Sequence, residues 1–322
     1  MANDQYLRKV QLIVARGTEG IDLSEFRIQF VVQAQDYETP NTAYIRVYNL
    51  ATTTVQKIKG DLPFDGEYTR VILSAGYQTG NFGVIFDGTI KQYRTGRESP
   101  TDTYLDIFAA DGDIGFQQAL LKQTLRAGAT PQQIAGAIGD AFKDYGVTMS
   151  DIQGMTFSGV RLSRGKVMFG LARDAMRRFA QTQFSSWSIQ QGNIVVTRLN
   201  SYKPGEIVEM NMSTGMVGVP EATDSGIAVR CLLNPKIQVG TVLHIDNTSI
   251  NQTQIVEQFF PGYNEVNFVA ETTDYGYYRV LVSEYEGDTR DTAWYSRLTC
   301  LAIDMTAAKG DEILPFGSQG AL

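Results

Sequence analysis

One histidine, His244, and two cysteines, Cys231 and Cys300, stand in a chain of 322 residues. That scarcity removes most familiar catalytic chemistry. A Ser-His-Asp or Cys-His mechanism would have to run through His244. This residue sits in the strand-like run Val242-Leu243-His244-Ile245, and the chain has no Gly-x-Ser-x-Gly elbow. One histidine and two cysteines far apart match no zinc spacing. The phosphate-binding Gly-x-x-x-x-Gly-Lys-[Ser/Thr] pattern is missing, as is the calcium-loop Asp-x-[Asp/Asn]-x-[Asp/Asn]-Gly. The glycine-bearing piece Gly215-Met216-Val217-Gly218-Val219-Pro220 has no lysine and reads as a turn. No cofactor and no metal are expected.

Other absences bound the setting. No apolar run approaches the roughly 20 residues needed to cross a bilayer, so stable membrane insertion is not expected. The start Met1-Ala2-Asn3-Asp4-Gln5-Tyr6 has neither a basic region nor an apolar stretch, which predicts folding in the cytoplasm. The two cysteines lie in Ala-Val-Arg-Cys-Leu-Leu and Arg-Leu-Thr-Cys-Leu-Ala-Ile, settings that favour buried free thiols over a disulfide or a redox pair. The 31 glycines and nine prolines are dispersed, so no segment is low-complexity linker.

What is present is an ordinary folded composition, 43% hydrophobic and 20% charged, long enough for two or three cores. The net charge of −7 is unevenly placed: residues 1–115 carry −4, residues 116–204 carry +7 and residues 205–322 carry −10. A basic middle between acidic ends suits complementarity within or between subunits, or an anionic partner for the middle. The overall acidity argues against wrapping nucleic acid. Carboxylates are plentiful, so a hydrolase pair could be sought at Glu257 or in the cluster Glu284, Glu286 and Asp288. The expected role there is solvated loop charge.

Period-2 alternation dominates the first third. Phe26, Ile28, Phe30 and Val32 alternate with Arg27, Gln29 and Gln33, and Ala43, Ile45 and Val47 repeat the pattern. Further strands are predicted over 70–74, 83–86 with 89–93, and 103–109. Turns are expected at 38–41, 79–81, Asp87-Gly88 and Asp111-Gly112. One short helix is predicted over 52–59. Such strands with short turns imply an antiparallel sheet curling towards a barrel or sandwich.

The middle third changes period. Thr130-Pro131-Gln132-Gln133 is a helix start, with Thr at the N-cap, Pro at the first position and Gln three residues after the cap. Ile134, Ile138, Ala141 and Tyr145 follow at helical spacing, and Gly146 stops the helix. A second helix is predicted over 165–180, with Met168, Ala172, Ala175, Met176 and Phe179 as its apolar stripe. Arg173, Arg177 and Arg178 make it basic. These three arginines are the candidate interface residues, set to pair with carboxylates of the acidic regions or of a neighbouring subunit. A hairpin over 187–199 turns at Gln191-Gly192-Asn193. The last third returns to strands, near 227–233, 241–245, 252–260, 265–270, 276–284 and 297–303, and residues 306–322 read as an extended tail. The predicted class is mainly β with an α+β insertion.

Short sequence pieces, in order, carry a family resemblance. They are Phe26-Arg-Ile-Gln-Phe30, Asn41-Thr-Ala-Tyr-Ile-Arg-Val-Tyr-Asn-Leu50, Ala75-Gly-Tyr77, Ile85-Phe-Asp-Gly88 and Ala110-Asp-Gly112. In the last third come Gly218-Val-Pro220, Leu232-Leu-Asn-Pro235 with Gly240, Tyr278-Arg-Val280, Gly287-Asp-Thr-Arg290 and Trp294. Over roughly residues 25–305 the chain resembles the central hub proteins of bacteriophage tail baseplates, which sit beneath the tail tube and above the spike. The resemblance implies two tail-tube-like antiparallel β-barrel domains, 1–115 and 205–305, around a small α+β domain, 116–204. It further implies a homotrimeric ring, whose six barrels adapt a hexameric tube to a trimeric spike, and an acidic bore through which DNA passes without specific binding. The partners implied are the tube protein, the spike and other baseplate proteins, in a virion tail assembled in the host cytoplasm. A tail-associated cell-wall-cleaving enzyme, or another β-rich tail part such as a distal tail or tube protein, is the alternative reading.

Overall fold

The computed structural model describes residues 5, 7–16, 19–59, 69–151, 161–198, 202, 205–223, 226–246, 250 and 276–303. Seven strands and one helix make the first region: β1 (Arg8–Arg16), β2 (Glu19–Asp22), β3 (Ile28–Gln35), β4 (Thr42–Tyr48), α1 (Thr52–Lys59), β5 (Thr69–Tyr77), β6 (Phe82–Arg97) and β7 (Thr103–Ala110). They pair antiparallel in the order β2-β1-β5-β6-β7-β4-β3. The alternation read from sequence is the alternation of burial. Ile28, Phe30 and Val32 face inward beside Ile45 and Val47, while Gln33 is exposed.

The expected turn at Asp87-Gly88 is instead the middle of β6. Gly88 is there for a close approach rather than a reversal: a Cβ on it would lie 2.7 Å from both the Ala110 carbonyl oxygen and the Phe86 ring. Asp87 pairs across the ladder with Arg70, whose Nε is 2.7 Å from its Oδ1.

The α+β unit contains α2 (Asp113–Gln118), β8 (Leu120–Leu125), α3 (Pro131–Lys143), β9 (Thr148–Asp151), β10 (Lys166–Leu171), α4 (Ala172–Thr182), β11 (Ser185–Gln190) and β12 (Asn193–Arg198). The capping box at α3 forms as read: Thr130 accepts from the Gln133 N–H, and the Gln133 side chain accepts from the Thr130 N–H. The helix expected over 165–180 begins only at Ala172. Residues 166–171 pair instead with β8 as a strand, which leaves Val167 and Phe169 exposed while Met168 between them is buried. Met168, Ala172, Met176 and Phe179 still share one core, so the apolar stripe is real although its first member lies on a strand.

The last region adds β13 (Val208–Met210), β14 (Glu221–Thr223), β15 (Gly226–Leu232), β16 (Val242–Ile245), β17 (Tyr277–Asp288) and β18 (Trp294–Ala302). The strands expected over 252–260 and 265–270, and the tail over 306–322, lie outside the described residues. Gly215 takes a left-handed φ of 109° at the end of a short 3-10 turn, which agrees with its reading as a turn. Cys231 and Cys300 are free and buried in the core of this region. Burial pushes the Cys231 thiol up to about 12 and raises Cys300 as well, so neither is a thiolate at neutral pH.

The chain is thus mainly β with a small α+β unit. Its two β regions are spliced into one thirteen-stranded sheet, whose path runs β14-β15-β18-β17-β3-β4-β7-β6-β5-β1-β2. The splice is β17: its first half pairs with β16 and its second half with β3, on either side of a register shift between Val280 and Val282. Among the described residues this sheet does not close on itself; β16 and β13 branch from β17, and β2, β13 and β14 are its free ends. Leu233, Tyr285 and Trp294 from the last region complete the core of the first.

Candidate functional site

Two features cross the boundaries between regions: the outer face of the long sheet, and a buried polar junction behind it. Because side chains alternate across a strand, every second residue of β15, β18, β17, β3, β4 and β7 points to the outer face. The register aligns them in rows. One row runs Tyr295, Glu286, Val31, Tyr44, Phe108; the next runs Arg297, Glu284, Gln33, Thr42, Ala110. Tyr44 and Phe108 pack with ring centroids 5.0 Å apart and, with Val31 and Lys91, line a groove of about 450 Å³.

The carboxylates of this face are paired. Arg297 donates to Glu286 at 2.9 Å and lies 3.9 Å from Glu284. Arg46 grips Asp106 through two bonds of 2.7 and 3.1 Å, and the Tyr44 hydroxyl adds a third at 3.0 Å. That hydrogen bonding outweighs burial and raises the Arg46 guanidinium above its usual range. Asp288 accepts from Arg27 and Gln29, each at 2.7 Å. Burial would raise its carboxyl, but Arg27, the Arg290 N–H and Gln29 together hold it below the usual carboxylate range. Glu284, Glu286 and Asp288 therefore serve as charge partners of arginines along a sheet; Glu257 lies outside the described residues. Each of these carboxylates of the face has an arginine partner, Arg297 serving both Glu284 and Glu286.

At the junction, the end of β3 meets the first half of β17 and the β11–β12 hairpin. Asp36 and Arg279, both buried, form an ion pair there. Ser186 donates to the same Asp36 oxygen at 3.0 Å, and Arg279 reaches the Arg198 carbonyl at 3.1 Å. Burial raises the Asp36 carboxyl against the pull of Arg279 and Ser186. Asn41 extends the junction by donating to the Ile189 carbonyl and to Gln190, which donates in turn to the Gln35 carbonyl. A cavity of about 120 Å³ lies between the three regions, bordered by Asp36, Asp111, Gln190 and Tyr285. Sequence reading passed over Asp36 and Arg279 as functional positions. Arg279 stands between two buried apolar residues, Tyr278 and Val280, and such an arginine is the signal of a strand covered on both faces.

Asp111 gives the junction a pH dependence. Burial pushes its carboxyl up to about 7, although the Gly192 and Gln191 N–H groups favour the charged form; Gly192 donates at 2.8 Å. Since the folded-state value lies above that of the unfolded chain, this group's contribution is complete below about pH 4. It is lost as pH rises towards 7. In urea titrations, wild-type stability should fall relative to Asp111→Asn by about 1 kcal/mol per pH unit across that window and run parallel above it. Parallel curves throughout would show that the carboxyl is not perturbed.

The three arginines on α4 share Asp174 as a neighbour but differ in their other contacts. Arg177 bonds Glu38, in the loop between β3 and β4, at 2.7 and 2.9 Å, and approaches Asp174 at 3.4 Å. Arg173 lies over the Phe116 ring at 5.0 Å, and Arg178 donates to the Asp174 carbonyl at 3.2 Å. Arg177 thus ties the α+β unit to the loop between β3 and β4. His244 contacts Glu209 at 2.8 Å and packs on Tyr277, a surface pairing at the β13–β16 edge.

Comparison with known proteins agrees with this architecture. The chain matches no curated protein by sequence. Its fold is similar to the 43 kDa tail protein of prophage MuSo2 from Shewanella oneidensis, at 7% identity and a TM-score of 0.56, covering 91% of this chain and 96% of that one. It is similar to a tail protein from Neisseria meningitidis MC58, at 10% identity and a TM-score of 0.55, covering 92% and 96%. A chain of the Francisella PdpA–VgrG complex is also similar, at 6% identity and a TM-score of 0.52, covering 94% of this chain and 60% of that one. The family model described as baseplate hub gp41 matches residues 9–260. The chain belongs to the baseplate hub gp41 family, a structural part of the phage tail.

Proposed function

We propose that three copies of this chain form a ring at the tail tip that joins a sixfold tube to a threefold spike. In this reading residues 1–115 and 205–305 act as two tube-like modules, so three chains present six. The observation that carries it is the single sheet running through both β regions and ending on the short strands β2, β13 and β14. Such ends are exposed backbone edges, and pairing them with a neighbour's removes the hazard of open edges while closing a ring.

The continuous outer face would then line the bore. Its paired carboxylates and arginines would offer DNA few unneutralised cations, which suits passage without specific binding. The tube protein, the spike and other baseplate proteins are the partners, and assembly takes place in the host cytoplasm. Arg173, Arg177 and Arg178 lie on the unit that would face outward towards a neighbouring subunit.

A cryo-electron map of intact tails tests this. Threefold density between tube and spike, with strands of adjacent copies in register, is the expected result. A sixfold or peripheral position would overturn it.

A further inference from the structure

The α+β unit carries one surface that its own core leaves uncovered. Strands β8 and β10 pair only with each other among the described residues, as a two-stranded ribbon with both outer edges open. The ribbon's inner face, Leu121 and Met168, is buried against α3 and α4. The register places Leu120 opposite Leu171 and Lys122 opposite Phe169 on the outer face, with Val167 beside them. Val167 is 75% exposed, Phe169 76% and Leu120 51%. Three large apolar side chains clustered on one small ribbon are a contiguous patch, unlike the scattered apolar residues of an ordinary surface.

Charge indicates what covers it. Lys122 lies within the patch, and exposed Lys166, Arg161 and Arg164 surround or precede β10. The segment 116–204 carries +7, whereas residues 205–322 of the same chain carry −10. Exposed carboxylates of that last region include Glu206, Glu209 and Glu221. A basic rim fits an acidic surface, and each copy of the chain supplies both charge signs.

We infer that the outer face of the β8–β10 ribbon docks on the acidic last region of a second copy of this chain. This rests on the ring reading and names a contact within it. The apolar side chains supply the anchor, and the basic rim sets orientation and rejects a copy presented with the wrong face.

Sedimentation equilibrium of the full chain, at low and high salt, tests the inference beside a V167S/F169S variant. Wild type is expected to self-associate, less strongly at high salt. The double variant should associate about tenfold more weakly or worse, with an unchanged urea midpoint because both side chains are exposed. Unchanged association of the variant overturns the docking contact while leaving the ring intact, and would leave the ribbon to the spike or tube. A wild type that stays monomeric at every concentration overturns the ring reading and this contact together. Should the double variant lower the urea midpoint, Lys122→Glu alters only an exposed charge on the same face. It should weaken association severalfold, and no change there is equally decisive against the contact.

Discussion

Replacing Asp36 with alanine is expected to destabilise the protein by about 3–5 kcal/mol, because it strands the Arg279 guanidinium inside the junction. Asp36 and Arg279 are 7% and 2% exposed, so neither charge can turn to water. Removing one partner leaves the full desolvation cost of the other, and Ser186 keeps only its bond to the Thr197 carbonyl. The pair itself is not a large source of net stability. Burial raises the Asp36 carboxyl in spite of the adjacent cation, which means that desolvation outweighs attraction at this site. Two measurements follow. Asp36→Ala should lower the urea midpoint strongly, whereas Asp36→Leu with Arg279→Met should recover most of the loss. A double variant as unstable as the single one would show that the ion pair, and not the stranded charge, sets the effect. The role left for the pair is specificity: it fixes how the β11–β12 hairpin sits against β3 and β17.

Trp294→Ala is the second large effect, at about 3–5 kcal/mol. Trp294 begins β18 in the last region, yet it belongs to the core of the first, 1% exposed. It meets Phe30 edge to face, with centroids 5.5 Å apart and planes at 75°, and the Arg8 guanidinium lies 5.5 Å from its ring. Gly287 opposite makes this fit possible. A Cβ there would come within 2.4 Å of the Phe30 ring and 2.9 Å of the indole. Truncation would leave a cavity between rigid strands that have little freedom to collapse into it. The indole N–H has no hydrogen-bond partner among the described residues, so Trp294→Phe loses packing alone and should cost less than half as much. Equal costs for Ala and Phe would point to a polar contact of the indole instead. Because Phe30 and Trp294 come from opposite ends of the chain, the alanine variant should also loosen β17 against β3, readable as faster amide exchange in both strands.

Much of the local structure was legible beforehand, for physical reasons that operate within a few residues. The Thr130 capping box, the helix over 52–59 and the hairpin turning at Gln191-Gly192 all depend on neighbours in sequence. In that turn Gln191 and Gly192 both take positive φ, at 52° and 76°. Burial alternation along β3 and β4 was equally plain, since it needs only a sheet with one wet face.

The misreadings arose where a local signal has two explanations. Met168 fits a helical stripe leading into Ala172 and Met176, and also fits the inward side of a strand. Pairing with β8 decided for the strand, and no residue near Met168 reports that distant partner. The Asp87-Gly88 step has turn chemistry, but its glycine answers to the Ala110 backbone, twenty-two positions away.

On its own, the sequence of this protein determined the mainly β class, the arginines of α4 and the scarcity of catalytic side chains. These follow from composition, periodicity and caps, which act locally. Only the tertiary structure decided that the two β regions share one sheet, that Asp36 and Arg279 meet, and that Glu284, Glu286 and Asp288 are charge partners along that sheet's face. Each of these joins residues more than 200 positions apart or depends on strand register. Register is set by the summed burial of whole strands, a quantity that no short stretch of sequence contains.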